Sequence, residues 1–155
     1  MASTSTERRV VITGLGVVAP LGNSVDVFWD NLIAGKCGVE KITAFDPTPF
    51  DTQIAAQVKD FDPAPAFPSP KEIRRTDRYS QFGIYAAWQA LKDSGLDLTK
   101  TDPDQVGAFI GSGIGGLQTT SEQLKVLFDR GPGRLSPFMI PMLISNMATG
   151  LVSMY

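Results

Sequence analysis

Two short runs rich in β-branched residues, each followed by a glycine, constrain the fold of this chain more than any other feature. Residues 8–13 precede Gly14, and residues 106–110 precede Gly111. Runs of this kind predict buried strands. Between them, apolar residues recur with a helical period and predict a long helix that starts at about residue 71 or 77 and ends at residue 94. Strands that alternate with long helices indicate an α/β fold with a largely parallel sheet.

Glycines and prolines divide the rest of the chain. Ser24 is the expected N-cap of a helix, and Gly35 is the expected residue just beyond its end. Four prolines between residues 63 and 70 exclude regular structure there. The further predicted elements are a short strand within 53–58, a helix over 117–128, and a helix from about residue 142 to the end.

Length and composition are those of a globular domain. The chain has 155 residues, of which 43% are hydrophobic and 19% charged, enough for a packed core. We expect residues 1–7 to be a disordered tail and residues 8–155 to be the N-terminal part of a larger domain, because the chain stops in an apolar segment. No segment approaches the roughly 20 apolar residues of a membrane helix, so no membrane insertion is predicted.

Charge and cysteine content narrow the partners and the location. The chain has 14 Lys and Arg against 16 Asp and Glu, and its formal net charge of −2 argues against general nucleic-acid binding. Its single cysteine, Cys37, cannot form an internal disulfide, which predicts a reducing, cytoplasmic location.

The chain contains no histidine. A Ser/His/Asp or Cys/His catalytic centre therefore cannot be assembled from these residues, and one cysteine cannot form a thiolate zinc site. We predict no metal and no cofactor. Cys37 lies in a Gly-Lys-Cys-Gly turn and not at a strand-to-helix elbow where amides stabilise an oxyanion, so it is predicted to be a structural thiol.

Two glycine-rich segments imitate dinucleotide-binding motifs. In GLGVVA at 14–19, the following Pro20 breaks the helix whose N-terminus would hold a pyrophosphate, which indicates a tight turn instead. GSGIGG at 111–116 stands between a predicted strand and a predicted helix, but lacks an acidic residue at the end of a second strand about 20 residues later. Two alternatives stay open there: nucleotide binding, or close packing of backbone or of a chain-like ligand beside Ile114.

Three segments of the chain resemble the type II β-ketoacyl-acyl carrier protein synthases. They are VVITGLGVVAPLGN at 10–23, IGSGIGG at 110–116 and SPFMIP at 136–141. They lie in the family's order and extend the resemblance over nearly the whole chain. The resemblance implies a thiolase-like α/β fold, in which two similar halves stack into α/β/α/β/α layers, with the N-terminal half alone represented here.

The resemblance also implies a decarboxylating condensation in fatty acid biosynthesis. An acyl chain passes from acyl carrier protein to a cysteine thiolate, and malonyl-acyl carrier protein loses carbon dioxide and attacks the thioester. The family's cysteine and two histidines correspond to positions beyond Tyr155. We therefore expect no catalytic residue in this chain, no activity of the chain alone, and a homodimer as the assembled enzyme.

Basic residues after the proline-rich loop are predicted to dock the acidic carrier protein. Their spacing of i, i+3, i+4 and i+7 would place four cations on one face of a helix. The four are Lys71, Arg74, Arg75 and Arg78. Charge spacing alone favours a solvated helix face, whereas the resemblance favours docking, because the family has basic residues at the first three positions. Arg134 matches a further basic family position, and Arg130 is included because it lies nearby in the sequence.

Acyl-chain binding is predicted from the same resemblance. We expect Ile114, Phe138 and Met139 to line an acyl tunnel, with Met139 reaching across the dimer. Ordinary core packing is the alternative for Phe138. The apolar run over 138–147 also suits a subunit interface.

Two other functions stay open at this point. One is a non-catalytic partner subunit similar to a chain length factor, in which the family's cysteine is replaced. The other is a nucleotide-binding module built on residues 111–116. The residue at the family's cysteine position would identify the first, and a titration with NAD or ATP would identify the second.

Overall fold

The computed structural model describes residues 8–155, and the predicted tail at 1–7 lies outside the described residues. The chain forms six α-helices and one hairpin over this range. In chain order they are α1 (Val25–Ile33), β1 (Val39–Lys41), β2 (Ile54–Ala56), α2 (Pro70–Ile73), α3 (Arg78–Ser94), α4 (Leu117–Arg130), α5 (Met139–Leu143) and α6 (Met147–Met154). Three short 3-10 turns lie at Ala64–Ala66, Pro103–Gln105 and Pro132–Arg134.

Helix α3 is the centre of the packing. Ile84 of α3 and Ala148 of α6 are the buried hydrophobic residues of the described core. A Cβ at Gly83 would lie 3.4 Å from the Cβ of Ala148, so the two helices are already in van der Waals contact at this point. The helix ends where the sequence predicts, because Gly95 adopts a φ of 65° that favours glycine.

The predicted start of this helix at residue 71 is wrong, whereas the alternative start at residue 77 is confirmed. The Asp77 backbone is extended, with a ψ of 157°, and its side chain accepts a hydrogen bond from the Tyr79 amide as an N-cap. A separate four-residue helix, α2, precedes it and is capped by Ser69. The four cations around Arg74 consequently do not share one helix face, which corrects the arrangement predicted from their spacing.

The predicted strands at 8–13 and 106–110 do not form ladders with the described residues. The one sheet that residues 8–155 form is the antiparallel β1–β2 hairpin, in which Val39 pairs with Ala56. The prediction of a strand within 53–58 is thus confirmed, whereas no parallel pairing is present in this range. A strand exists through hydrogen bonds to a neighbour, and the side chains of Val10 and Phe109 are 94% and 96% exposed where burial was predicted.

The remaining helix predictions are met with small shifts. Ser24 caps α1 through the Val27 amide, and Gly35 follows the end of that helix with a φ of 65°. Helix α4 extends two residues beyond its predicted end at 128. The final apolar segment forms the two short helices α5 and α6, which replace one helix from residue 142.

The first glycine motif is packed directly against α3. A Cβ on Gly16 would lie 1.9 Å from the carbonyl oxygen of Ala86, and one on Gly14 would lie 2.1 Å from that of Ala90. The Leu15 amide donates to a carboxylate oxygen of α3 at 2.8 Å. These glycines therefore serve close backbone packing, and no room for a pyrophosphate is left beside them.

Candidate functional site

The turn between α2 and α3 carries the predicted docking cations, and the structure divides them into two groups. Lys71 and Arg74 are exposed, and neither forms an ion pair or a side-chain hydrogen bond with residues 8–155. Arg75 and Arg78 contact aromatic rings of the fold. Two of the four cations are therefore available to an outside anion without giving up a contact.

Arg75 lies between an acidic side chain and an aromatic ring. Its guanidinium carbon is 4.4 Å from the centroid of the Phe138 ring, and its Nη1 is 3.5 Å from Oε1 of Glu72. Both of these partners are only partly exposed. The structure thus brings a predicted docking residue into contact with a predicted tunnel residue, a relationship that the sequence analysis did not anticipate.

Arg78 is held more firmly by the fold. Its Nη2 donates to the carbonyl oxygen of Val58 at 3.1 Å, and its guanidinium lies 4.9 Å from the Phe82 ring centroid and 5.7 Å from that of Phe61. These contacts join the start of α3 to the segment that precedes the proline-rich loop. They are the contacts of a structural arginine, although its side chain remains accessible to solvent.

The two remaining docking predictions, Arg130 and Arg134, lie at the end of α4 and in the 3-10 turn after it. Both are exposed. Arg134 and Phe138 are four positions apart in the sequence, so their Cα atoms are within about 14 Å of one another by chain length alone. Because Phe138 contacts Arg75, Arg134 is linked to the α2–α3 turn through this short segment.

A buried carboxylate connects the α2–α3 turn to the start of α4. Asp77 Oδ2 accepts hydrogen bonds from the backbone amide of Thr119 at 2.9 Å and from its hydroxyl at 2.6 Å. The same carboxylate caps α3 through Tyr79. A Cβ on Gly116 would lie 3.0 Å from Asp77 Oδ2 and 2.4 Å from the Met142 carbonyl oxygen, so this position has no space for a larger residue.

The second glycine motif is therefore not free to bind a phosphate at the start of α4. A phosphate there would use the amides of the first helical turn. The Thr119 amide already donates to Asp77, and the Gly116 amide donates to the Leu143 carbonyl at 2.8 Å. A buried carboxylate occupies the place that an anionic ligand would take, which favours the packing alternative over nucleotide binding.

Comparison with known protein families identifies the family of this chain. The N-terminal domain of the β-ketoacyl synthases matches residues 7–155. The chain belongs to the β-ketoacyl synthase family. This confirms the family resemblance of the three sequence segments.

Curated relatives within the β-ketoacyl synthase family are similar over almost all of this chain. The 3-oxoacyl-[acyl-carrier-protein] synthase 2 of Coxiella burnetii is 53% identical over 147 residues, which are 95% of this chain and 35% of that protein. The protein of the same name from Staphylococcus aureus strain COL is 46% identical over 149 residues, which are 96% of this chain and 36% of that protein. The chain thus spans about a third of the length of these relatives.

Solved structures agree with the family assignment. A type II PKS acyl-carrier protein in complex with its ketosynthase, bound to a hexaketide, matches with a TM-score of 0.78 at 29% identity, over 96% of this chain and 38% of that one. The ishigamide ketosynthase/chain length factor matches with a TM-score of 0.78 at 27% identity, over 95% of this chain and 36% of that one. The predicted thiolase-like fold class is confirmed.

The predicted tunnel residues of this β-ketoacyl synthase domain are not enclosed by residues 8–155. Ile114 is 71% exposed, Phe138 is partly exposed, and Met139 begins α5 with intermediate burial. A tunnel formed by these three residues therefore stays a prediction. The structure places Phe138 at the start of α5, with its amide donating to the Ser136 hydroxyl at 3.2 Å.

An apolar groove that the sequence analysis missed lies beside α3. Its volume is about 520 Å³, and it runs between α3, the segment 106–110 and the end of α6. Thr13, Leu91, Phe109 and Tyr155 are among its walls. The signal that could have revealed it is the pair of apolar runs at 8–13 and 106–110, in which Val10, Ile12 and Phe109 are largely exposed among the described residues.

Tyr155 connects α6 to the region of α2. Its ring centroid is 5.7 Å from that of Phe67. Burial raises the pKa of Tyr155 above its ordinary value of 10.0, and the negative charge of Glu72 raises it further. Glu72 is therefore close enough to influence both Tyr155 and Arg75.

Neither Cys37 nor the acidic side chains of residues 8–155 add a catalytic or metal-binding group. The Cys37 thiol is exposed and accepts a hydrogen bond from the Val39 amide at 3.4 Å, as suits a turn residue beside β1. Residues 8–155 contain no group of three or more Cys, Asp or Glu side chains placed to hold a metal ion. No helix in this range is long and apolar enough to cross a membrane.

Proposed function

We propose that the full-length gene product is a 3-oxoacyl-acyl carrier protein synthase, and that this chain supplies the carrier-docking surface, part of the acyl-tunnel wall and dimer contacts. In the proposed reaction, malonyl-acyl carrier protein loses carbon dioxide. The resulting carbanion then attacks the carbonyl of an enzyme-bound acyl thioester and expels the cysteine thiolate. The product is a 3-oxoacyl chain on the carrier protein.

The observation that carries the docking role is a pair of exposed cations beside Arg75, Lys71 and Arg74, which have no side-chain hydrogen bond or ion pair with residues 8–155. Carrier proteins are acidic, and a cluster of cations attracts an acidic surface over several ångströms and speeds association. The names of the curated relatives support the reaction. A solved ketosynthase that contains its acyl-carrier protein supports the partner.

The reactive groups are proposed to lie outside these 155 residues. The chain has no histidine, and its one thiol is a turn residue. We therefore propose that the 155-residue chain alone does not catalyse the condensation. A homodimer without metal or cofactor, located in the cytoplasm, remains a prediction that accompanies this function.

Charge reversal of the two exposed cations tests the docking role. In the full-length gene product, the double substitution K71E and R74E is expected to raise the KM for acyl-acyl carrier protein about tenfold and to leave kcat within about twofold. The effect should shrink as salt is added, because screening weakens exposed charge interactions. The matched control is K100E, which reverses an exposed lysine of the loop after α3 and is expected to leave KM unchanged. An unchanged KM in the double variant would contradict the docking role.

A non-catalytic partner subunit is the second candidate. It is favoured by the match to the ishigamide ketosynthase/chain length factor. The two candidates differ in one measurement. A synthase becomes covalently labelled by a radioactive acyl chain from its carrier protein, whereas a partner subunit that lacks the nucleophile stays unlabelled.

A further inference from the structure

Arg75 is the one predicted docking residue that also contacts a predicted tunnel residue. Its guanidinium carbon lies 4.4 Å from the Phe138 ring centroid. About a third of the Arg75 side chain is exposed, so an outside group can reach the guanidinium while it lies on the ring. The neighbouring Arg74 is exposed and has no such contact with residues 8–155. The two adjacent arginines therefore differ in exposure and in their contacts, since Arg75 alone pairs with Glu72 and lies on Phe138.

The backbone on both sides of this contact is fixed. The Arg75 amide donates to the Glu72 carbonyl at 3.0 Å, and the next residue, Thr76, is buried. The Gln81 side-chain amide donates to the carbonyl oxygens of Ile73 and Thr76, both at 3.2 Å, and so braces the turn from α3. These hydrogen bonds hold the backbone of the turn, so the Arg75 side chain is the part that is free to change its contacts.

Phe138 is held in a similar way. Its amide donates to the Ser136 hydroxyl, and its carbonyl accepts from the Met142 amide at 3.0 Å. The ring itself is restrained by the Arg75 guanidinium that lies on it. When the guanidinium leaves, this restraint on the ring is lost, while the backbone hydrogen bonds of α5 remain.

The contacts that hold Arg75 are weaker than those an acidic partner can offer. A partly exposed cation–π contact and a surface ion pair at 3.5 Å are each modest. A guanidinium that meets a carboxylate or phosphate with two parallel hydrogen bonds gains considerably more. An acidic group that arrives beside Arg74 is therefore able to draw Arg75 away from Phe138.

We propose that Arg75 is a positioning residue that couples carrier-protein docking to the conformation of Phe138 and thereby to acyl-chain selection. This inference rests on the proposed function, in which an acidic carrier docks here and Phe138 borders the acyl chain. In the free protein Arg75 lies on the ring and holds it in one rotamer. In the docked complex an acidic group of the carrier pairs with the Arg75 guanidinium, which leaves the Phe138 ring and no longer restrains it.

A fluorine label on the ring reports the coupling directly. In the full-length gene product, 4-fluorophenylalanine is placed at position 138 alone, and its ¹⁹F resonance is followed while acyl carrier protein is added. The resonance is expected to move toward the position that it has in the free R75Q variant. In R75Q the carrier is expected to bind more weakly and, at saturation, to leave the resonance in place.

The matched control for this experiment is R74Q. It removes a more exposed charge from the neighbouring position, so carrier affinity should fall. The free R74Q protein should keep the wild-type resonance, and saturation with carrier should move that resonance as in wild type. A wild-type resonance that stays in place at saturation, or one that moves equally in R75Q, would overturn the proposal.

Chain-length selectivity provides the second readout. The readout uses dodecanoyl- and hexanoyl-N-acetylcysteamine, thioesters that acylate the enzyme without the carrier protein, so the wild-type ring stays restrained. The ratio of their acylation rate constants is expected to change about threefold in R75Q, because the ring loses its restraint. R74Q should leave this ratio unchanged. In an F138L background, R75Q should no longer alter the ratio, since the ring on which it acts is gone. A ratio that R75Q leaves at the wild-type value would overturn the proposal.

The failure of this inference differs from the failure of the proposed function. If the carrier protein neither binds nor reacts, the proposed function falls and this inference falls with it. If the carrier binds and its acyl chain is elongated, but R75Q changes neither the response of the ring resonance nor the selectivity ratio, this inference alone is overturned.

Discussion

The Asp77 carboxylate holds the first turn of α4 against the start of α3 through Thr119. One carboxylate oxygen accepts both the amide and the hydroxyl of Thr119, at 2.9 Å and 2.6 Å, and the other accepts the Tyr79 amide at 3.1 Å. Asp77 and Thr119 are both buried. A single side chain therefore sets the position of the glycine-rich loop before α4 relative to the basic turn before α3.

Removal of this carboxylate should destabilise the domain. D77A is expected to lower the free energy of unfolding by about 2–4 kcal/mol, because the loss of an N-cap costs about 1 kcal/mol and unpaired buried donors cost about 1–3 kcal/mol. Urea denaturation measures the difference. The matched control is D102A, which removes an exposed cap from the 3-10 turn at Pro103–Gln105 and should cost under about 1 kcal/mol. Equal losses of unfolding free energy in the two variants would contradict the role of Asp77 in holding α4 against α3.

Close backbone packing predicts that alanine substitution has very different effects on stability at two glycines, Gly16 and Gly111. G16A places a methyl group 1.9 Å from the Ala86 carbonyl oxygen, so the N-terminal segment must move away from α3. We expect a loss of about 3 kcal/mol, at the upper end of the range for overpacking. G111A meets no atom within 4 Å and should change stability by less than about 0.5 kcal/mol. Thermal denaturation of both variants checks this, and a neutral G16A would refute the packing described for α3.

Neutralisation of Glu72 should lower the pKa of Tyr155. E72Q removes the contribution of the Glu72 charge, and burial alone then keeps the Tyr155 pKa above 10.0. The folded state holds the phenol proton more tightly than the unfolded state, so this group reduces stability as the pH rises above 10.0. A titration of the ¹³Cζ resonance, assigned with Y155F, measures the pKa. E122Q serves as the control, and an identical Tyr155 pKa in E72Q and wild type would exclude the charge effect.

The exposed apolar runs should govern self-association of the 155-residue chain. Ile12 and Phe109 are 83% and 96% exposed, so they offer apolar surface to a second molecule. The double variant I12S and F109S is expected to scatter less light and to bind less hydrophobic dye at the same concentration. The paired control is V152S, which alters a partly buried residue of the neighbouring α6. Undiminished scattering in I12S and F109S would show that another surface drives association.

Helix boundaries that depend on neighbouring residues were predictable from the sequence. Ser24 caps α1, and Gly95 ends α3, because a cap side chain and a left-handed glycine act within a few residues of their own position. The basic residues were also identified correctly as a charged group. Their division was not, because Asp77 forms a cap that separates α2 from α3 and because two of the arginines lie on aromatic rings.

Strands and side-chain pairs depended on distant segments. The runs at 8–13 and 106–110 have the composition of strands, but a ladder needs a hydrogen-bonded neighbour, and the described residues supply none. Asp77 and Thr119 are 42 positions apart, and Arg75 and Phe138 are farther still. Composition and spacing do not predict such pairs. The pairs form only when helices pack and bring side chains that are remote in sequence into contact. Capping and charge could thus be predicted from the sequence, whereas the contact between Arg75 and Phe138 was decided by the packing of the helices.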